Sequence, residues 1–586
     1  EIVKGEESSV RDLVNYTQKS FIFDQSLDER DAKEDVVSNQ KRNREDDDTD
    51  DDYVGNEAEF EEEEQVRFGR GRPRFVRTGM RGRPKKARHL LNVIESSTNI
   101  DIPQTVAEAL NCRYAKEWEN AIREEHAALI KNKTWSLENL PEGQRAIGCR
   151  WVFSVKRQVD GAIERFKCRL VAKGCNQQLG VNYKETFSPV IRYSWIRMVL
   201  ALAVEWKLYV HQMDVCTYLN SDLHDIVYMK QPEGFIDERH PNKVLRLNKA
   251  IYGLKQSGKE WNEKLDNVLK SIGYVPCVNE PCLYKRNLEG NISLIAVYVD
   301  DMIIACKTKK EIEKVKAQIS NIFDCVDKGQ LRYFLGIKVE RNGELGAIHI
   351  SQSQYIKDIL QRHGMTQCRT AATPLDAGFT IGCKNTTCKR VEISEYQSLI
   401  GELMYLSVCT RPDIMHSVSK LAQRNADPHT EHVAGVKHIL RYLASTADLK
   451  LRYSACGKPV QGFVDADWGN DMMDRKSFSG YAFVLSGSAI TWQSKKQQTV
   501  ALSSTEAEYV ALAEGVKEAL FLRNLLNEIG CEQQEPTIIY GDNLSAQHLS
   551  KNQMFHGRSK HIDIKHHFIR DVIKDGKIEI RCIPTN

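Results

Sequence analysis

The stretch from Leu294 to Ile304, Leu-Ile-Ala-Val-Tyr-Val-Asp-Asp-Met-Ile-Ile, sets the strongest limit on what this chain can fold into. Apolar and β-branched residues fill it on both sides of one adjacent acid pair, Asp300 and Asp301. Such a run reads as two buried strands joined by a tight turn. In a straight strand neighbouring side chains point to opposite faces, so only a turn lets both carboxylates approach one place. Two like charges between apolar strands are costly unless a cation or a partner charge neutralises them. An ordinary acidic hairpin turn and a cation site both meet that requirement, and the pair alone does not choose between them.

A third acid widens the choice. Leu208-Tyr-Val-His-Gln-Met-Asp-Val reads as another strand, with Asp214 near its carboxyl end. A lone Asp there is a cap or turn residue in one reading and the third carboxylate of a two-metal site in the other. Two Mg²⁺ ions roughly 3.5–4 Å apart activate an attacking hydroxyl and stabilise a leaving oxygen. Magnesium favours carboxylates together with substrate phosphates. Upstream, Trp118, Ile122 and Leu129 recur at helical spacing within Ala115 to Ile130, a packing face. Two strand-like runs, Arg150-Trp-Val-Phe-Ser-Val-Lys-Arg and Arg165-Phe-Lys-Cys-Arg-Leu-Val-Ala-Lys-Gly, flank Asp160-Gly161 and predict a β-hairpin. Lys156, Lys167, Arg169 and Lys173 make it basic. That suits a surface gripping a triphosphate or a nucleic-acid backbone, and equally a solvated hairpin.

The ordered series Trp151-Val-Phe-Ser-Val-Lys, Gln212-Met-Asp-Val, Lys249-Ala-Ile-Tyr-Gly-Leu-Lys-Gln, Tyr298-Val-Asp-Asp and Tyr333-Phe-Leu-Gly-Ile resembles the Pol polyprotein of copia-type long-terminal-repeat retrotransposons. Ser398-Leu-Ile-Gly-Glu-Leu-Met-Tyr-Leu and Thr410-Arg-Pro-Asp continue the likeness, which covers roughly residues 110–586. The resemblance implies an α/β (α+β) right-hand polymerase with fingers, palm and thumb, followed by a ribonuclease H-like domain. It implies that Asp214, Asp300 and Asp301 are catalytic metal ligands in the palm, with Mg²⁺ as the ion and Mn²⁺ as the alternative. Lys167, Arg169, Lys173, Gln256 and Tyr298 would then serve the incoming nucleotide. Phe334 and Gly336 would lie in the hairpin that grips the primer. The implied partners are an RNA template, a DNA primer, the RNA–DNA hybrid, deoxynucleoside triphosphates and other Gag-Pol products. Tyr218 marks a departure. Copia-type elements place an aromatic residue five positions after the palm Asp, under the incoming sugar. Here Asp214-Val-Cys-Thr-Tyr-Leu-Asn-Ser is one residue short, so Tyr218 follows by four. A deletion in extended backbone turns later side chains to the other face, which predicts an impaired polymerase.

Beyond a helical segment from Glu395 to Leu443 the pattern changes. Val460-Gln-Gly-Phe-Val-Asp-Ala-Asp, Gly480-Tyr-Ala-Phe-Val-Leu, Ala489-Ile-Thr-Trp and Pro536-Thr-Ile-Ile-Tyr-Gly-Asp-Asn read as strands. Ser503-Ser-Thr-Glu-Ala-Glu-Tyr-Val-Ala-Leu reads as a serine-capped helix. Asp465, Glu508 and Asp542 fall at element ends, and the ordered set resembles ribonuclease H with a second two-metal cluster. Glu506 and Glu508 lie two apart on one helix and do not share a face, so both cannot serve one metal pair. Alignment with the family's helix favours Glu508, leaving Glu506 as an exposed first-turn acid. In Lys560-His-Ile-Asp-Ile-Lys, His561 and Asp563 would assist near the site or serve substrate contact or helix entry. Family ribonucleases H carry a fourth carboxylate shortly after Ile-Pro-Thr. The sequence here reads Ile583-Pro-Thr-Asn586, so that ligand is expected to be missing and cleavage weak.

Length and composition add limits. At 586 residues the chain has room for about three to four domains. They divide into 1–99 as a disordered acidic and basic linker, 110–375 as fingers and palm, 376–455 as thumb and connection, and 456–586 as ribonuclease H-like. Arg44 to Glu64 is acidic and Arg67 to Arg88 basic, with little apolar surface to fold around. The Gly-Arg-Pro elements in the basic block resemble minor-groove hooks, or belong to a solvated linker. The chain opens at Glu1 with no signal-peptide pattern, as a piece of a longer protein would. Its longest apolar runs, such as Met198 to Val204, fall short of a bilayer span. Sixteen cysteines without a C-x-x-C pair argue against zinc and for a reducing, intracellular setting, and the resemblance implies a cytoplasmic particle or the nucleus. Two function classes stand: DNA synthesis on RNA and DNA templates with hybrid cleavage, and a non-enzymatic remnant that only binds nucleic acid.

Overall fold

The computed structural model describes residues 101–583 apart from 158–162, 216–220, 289, 377, 383–387 and 552–562. The expected linker at 1–99, the turn residues Asp160 and Gly161, Tyr218 and His561 lie outside the described residues.

The palm is a six-stranded antiparallel sheet. Its order is Cys325–Gln330, Tyr209–Val215, Asp301–Cys306, Asn291–Tyr298, Leu283–Leu288 and Val275–Pro276. Successive residues of its central strands serve two cores. Met302, Ile304 and Cys306 pack with helices Ser257–Ser271 and Lys309–Ser320, while Ile303 and Ala305 join the core of helix Tyr193–Glu205. Burial on both faces is why the sequence shows a continuous apolar run here rather than alternation.

The fingers form as the sequence predicts. Strands Cys149–Arg157 and Ile163–Ala172 pair antiparallel beneath helix Ala115–Lys131. Trp118 is fully buried, edge-on to Phe153 at 5.3 Å and to Phe166 at 4.7 Å, and Ile122 and Leu129 share its face. Farther along, helices Ser353–Arg362, Ile393–Cys409, Met415–Ala422 and Thr430–Ser445 enclose a core of their own.

The last sheet runs Ser488–Lys496, Phe478–Leu485, Gln461–Ala466, Thr537–Gly541, Ile578–Cys582, three antiparallel strands followed by two parallel ones. Helix Ser504–Glu528 packs against it. This is the ribonuclease H-like arrangement. Its apolar interior is continuous with that of the palm, because Leu200 and Leu202 share a core with Ile490 and Trp492. Strand Leu451–Tyr453 also pairs with Ile348–Ser351 on the polymerase side. A division at 455/456 therefore follows the change in sequence pattern but passes through one packed interior.

Candidate active sites

In the palm hairpin Tyr298 pairs with Asp301, which leaves Val299 and Asp300 as a two-residue tip. Val299 sits at φ +57°, a region that β-branched residues rarely occupy and that costs of order 1–3 kcal/mol. The indole Nε1 of Trp261 donates to the Val299 carbonyl at 2.6 Å and holds the tip. Across the sheet Asp301 stands directly opposite Asp214. Asp300 shares their field. Burial pushes its carboxyl above the ordinary range, the charges of Asp214 and Asp301 push it the same way, and Arg169 pulls it back.

Two side chains to which the sequence assigns no role complete this end of the sheet. Gln212 Nε2 donates to Asp301 at 3.2 Å. The Lys328 ammonium bridges Asp214 at 3.0 Å and Asp301 at 3.1 Å. The ammonium shows that one oxygen of Asp214 and one of Asp301 face a common point, but the three palm acids do not bring their oxygens within 4.8 Å of one another as the second cluster does.

The basic hairpin reaches the same end. Arg169 lies 4.4 Å from the centre of the Tyr252 ring. Burial lowers the pKa of Lys167, with its cationic neighbours adding to the effect, and Lys173 is exposed. The hairpin is seated by the Ala172 amide, which donates to the Tyr252 carbonyl at 2.7 Å. Gly174 and Gly253 permit that approach, since a Cβ on either would overlap backbone.

Two implied substrate contacts are corrected. Gln256 is fully buried. Its Oε1 accepts from Gln177 at 2.9 Å, and its Nε2 donates to the Asn182 carbonyl at 2.8 Å and to Asp225 at 3.4 Å. Those partners consume the amide, so Gln256 braces loops instead of facing a nucleotide. Phe334 is likewise buried, in the core beneath its hairpin. What that hairpin exposes is Tyr333 and Gly336. Tyr298 is half-buried at the edge of the palm core.

In the second site Asp465, Glu508 and Asp542 each offer an oxygen within 4.8 Å of the others. Asp465 lies near the end of the central strand, and Asp542 follows the strand parallel to it. Glu508 comes from the second turn of the helix that begins at Ser504. That helix lies close because Gly515 faces Val464, where any Cβ would overlap the valine. Burial raises the pKa of Asp465, and the Asp542 charge raises it further. Glu508 is raised by burial and then by both partners. Among the described residues no lysine or arginine pairs with these three carboxyls, and their converging oxygens fit a divalent cation.

Asp467, which burial also pushes up, was missed although it stands two residues from Asp465. Its Oδ1 accepts from the Phe478 amide at 2.6 Å. Glu506 is corrected. It is buried, not exposed, because its Oε2 folds back to accept from the Leu502 amide at 2.8 Å. Ser503 Oγ accepts in turn from the Glu506 amide at 3.2 Å, closing the helix start. Helix Asp563–Lys574 opens at Asp563.

Residues 132–377 match the family model described as "Reverse transcriptase (RNA-dependent DNA polymerase)". The chain is 40% identical over 491 residues to the retrovirus-related Pol polyprotein from transposon TNT 1-94 of Nicotiana tabacum, covering 83% of this chain and 37% of that one. It thus spans little more than a third of that relative's length. A putative transposon Ty5-1 protein of Saccharomyces cerevisiae is 34% identical over 309 residues, 52% of this chain and 100% of the relative. Among solved structures, a foamy viral protease-reverse transcriptase in complex with double-stranded DNA gives a TM-score of 0.45 at 14% identity, covering 80% of this chain and 70% of that one. With a relative matched over its whole length, the chain belongs to the Pol polyprotein family of copia-type retrotransposons.

Proposed function

We propose that this chain synthesises DNA on RNA and DNA templates and cleaves the RNA strand of the resulting hybrid. The observation that carries the reading is the cross-strand pairing of Asp214 with Asp301, with Asp300 at the adjoining tip. Asp214, Asp300 and Asp301 would hold divalent ions, Mg²⁺ or Mn²⁺, which supply Lewis-acid activation of the primer hydroxyl and charge stabilisation on the transferred phosphate. Arg169, stacked on Tyr252 and within the field of Asp300, would bind the triphosphate of an incoming deoxynucleotide and orient it toward the tip. Lys167 and Lys173 extend the same basic edge. Asp465, Glu508 and Asp542 would form the second metal-holding set, on the hybrid's RNA strand. Charge placed ahead of reaction in this way is the main source of rate in phosphoryl transfer. Family membership supports a setting with other Gag-Pol products, in a cytoplasmic particle or the nucleus.

Primer extension on an RNA template, with Mg²⁺ and with chelator, tests the reading. Extension that needs the ion and disappears in Asp301→Asn supports it. A chain that binds hybrid but never extends a primer is the nucleic-acid-binding remnant instead.

A further inference from the structure

The strand Cys325–Gln330 lies at the sheet edge and is mostly exposed, yet it carries a specific irregularity. Against Tyr209–Val215 it pairs Asp327 with Met213 and Gly329 with Gln212, so Lys328 is an extra residue without a cross-strand partner. A bulge of this kind bends the strand and re-aims the side chain at it. The bulge is locked. Asp327 Oδ1 accepts from the Gly329 amide at 2.8 Å and from the buried Lys316 ammonium at 2.7 Å, and Gly329 adopts φ +72°. The side chain so aimed is the one that bridges Asp214 and Asp301.

An ammonium at this separation and a divalent ion bound to the same two oxygens cannot coexist. The ion would sit about 2.1 Å from each oxygen and repel the ammonium at contact range. The two acidic clusters of the chain therefore differ in kind. Among the described residues no lysine or arginine pairs with Asp465, Glu508 or Asp542, whereas the palm pair already carries a cation.

We propose that Lys328 is a tethered counter-ion of the palm carboxylates: it closes the Asp214–Asp301 pair in the metal-free chain and competes with divalent ions for it. The proposal rests on the reading of Asp214 and Asp301 as metal ligands. Lys328 thereby sets the metal concentration at which the palm fills, and it keeps the hairpin from repelling its neighbour strand when no metal is bound. It is a positioning residue that has to leave before the site is loaded.

The test is Mn²⁺ binding by electron paramagnetic resonance. The parent is the full chain carrying Asp465→Asn, Glu508→Gln and Asp542→Asn, which silence the second cluster. Adding Lys328→Met, which keeps the aliphatic stem, should lower the Mn²⁺ Kd about tenfold or more, and Lys328→Arg should leave it near the parent value. Adding Asp301→Asn should weaken binding. If Asp301→Asn weakens binding while Lys328→Met stays within about twofold of the parent, the counter-ion proposal is wrong and the metal-site reading survives. If Asp301→Asn changes nothing, the reading beneath it fails too. Should Lys328→Met not fold, amine labelling of the parent by mass spectrometry decides. Lys328 should label faster once Mn²⁺ is added, and an unchanged rate overturns the proposal.

Discussion

Asp300 and Asp301 are adjacent in sequence and meet different surroundings. Asp301 has a lysine and an amide donor, while Asp300 is raised by burial and by two neighbouring charges. Either Asn substitution should slow primer extension roughly a hundredfold or more, because charge aimed at the reacting phosphate is lost. Asp300→Asn should also raise the metal-free melting temperature, since it removes a poorly solvated charge. An unchanged extension rate in either variant drops that residue from the mechanism. Glu508 gives a pH prediction. Burial and the Asp465 and Asp542 charges hold its folded pKa well above the ordinary 4.5, so the folded chain keeps the proton over a pH range where the unfolded chain has lost it. Stability therefore falls as pH rises from the unfolded value through the folded one. Glu508→Gln stays neutral throughout, and at pH 8 without metal it should melt on the order of a few degrees above the parent. A variant melting at or below the parent there contradicts the assignment.

At the scale of elements, the turn Phe334-Leu335-Gly336-Ile337 shows how local sequence and distant packing divide the work. Phe334 pairs with Ile337, leaving Leu335 at φ +49° and Gly336 at φ +75°, both in the left-handed region a two-residue hairpin needs. Tyr405 donates its hydroxyl to the Leu335 carbonyl at 2.5 Å and occupies the space where a Cβ on Gly336 would lie. Gly336→Ala should cost roughly 1–3 kcal/mol in chemical denaturation. Tyr405→Phe in the same chain should restore part of that loss. No loss in Gly336→Ala would show that the turn yields. The basic hairpin and the acid-bearing strands were legible because period and turn chemistry are local, whereas the hairpin at Phe334 and Gly336 came from the family resemblance. The helical period separated Glu506 from Glu508, and only the family resemblance chose Glu508. What stayed hidden depends on partners far along the chain. Gln256 looks like a polar side chain free for a ligand until Gln177 and Asn182 close on it. Lys328 sits in Asp-Lys-Gly, which reads as a loop until a partner strand makes it a bulge. Glu506 looks exposed because a period cannot show its carboxylate folding back on Leu502. The spacing after Asp214 is tested directly by inserting Ala between Thr217 and Tyr218. Extension should increase and the preference for deoxynucleotides sharpen, and equal rates in both chains would reject the register argument.

For the whole molecule, the chief fact is that polymerase and ribonuclease H-like portions are not beads on a string. Arg197, from the palm helix Tyr193–Glu205, is buried and donates to the carbonyls of Val408 at 2.7 Å, Cys409 at 2.9 Å and Ile490 at 2.8 Å. Its guanidinium lies 3.7 Å from the centre of the Trp492 ring. Trp492 Nε1 in turn donates to the Ser407 carbonyl at 2.8 Å, and Ser486 Oγ to the Ala201 carbonyl at 3.0 Å. Burial pulls the Arg197 pKa down to about 10, so the site tolerates this charge only because carbonyls surround it. Without Arg197 the buried carbonyls of Cys409 and Ile490 and the half-buried one of Val408 lose a donor at once, each buried one costing about 1–3 kcal/mol. Arg197→Met should therefore destabilise both portions together. Amide exchange should quicken in strand Ser488–Lys496 and in helix Tyr193–Glu205 by similar factors. Residues 456–586 expressed alone should expose the apolar face that meets Leu200 and Leu202, bind a hydrophobic dye and melt without a cooperative transition. A fragment that melts sharply, or exchange that quickens on only one side of Arg197, would mean that two separable domains touch, not that one core spans both sites.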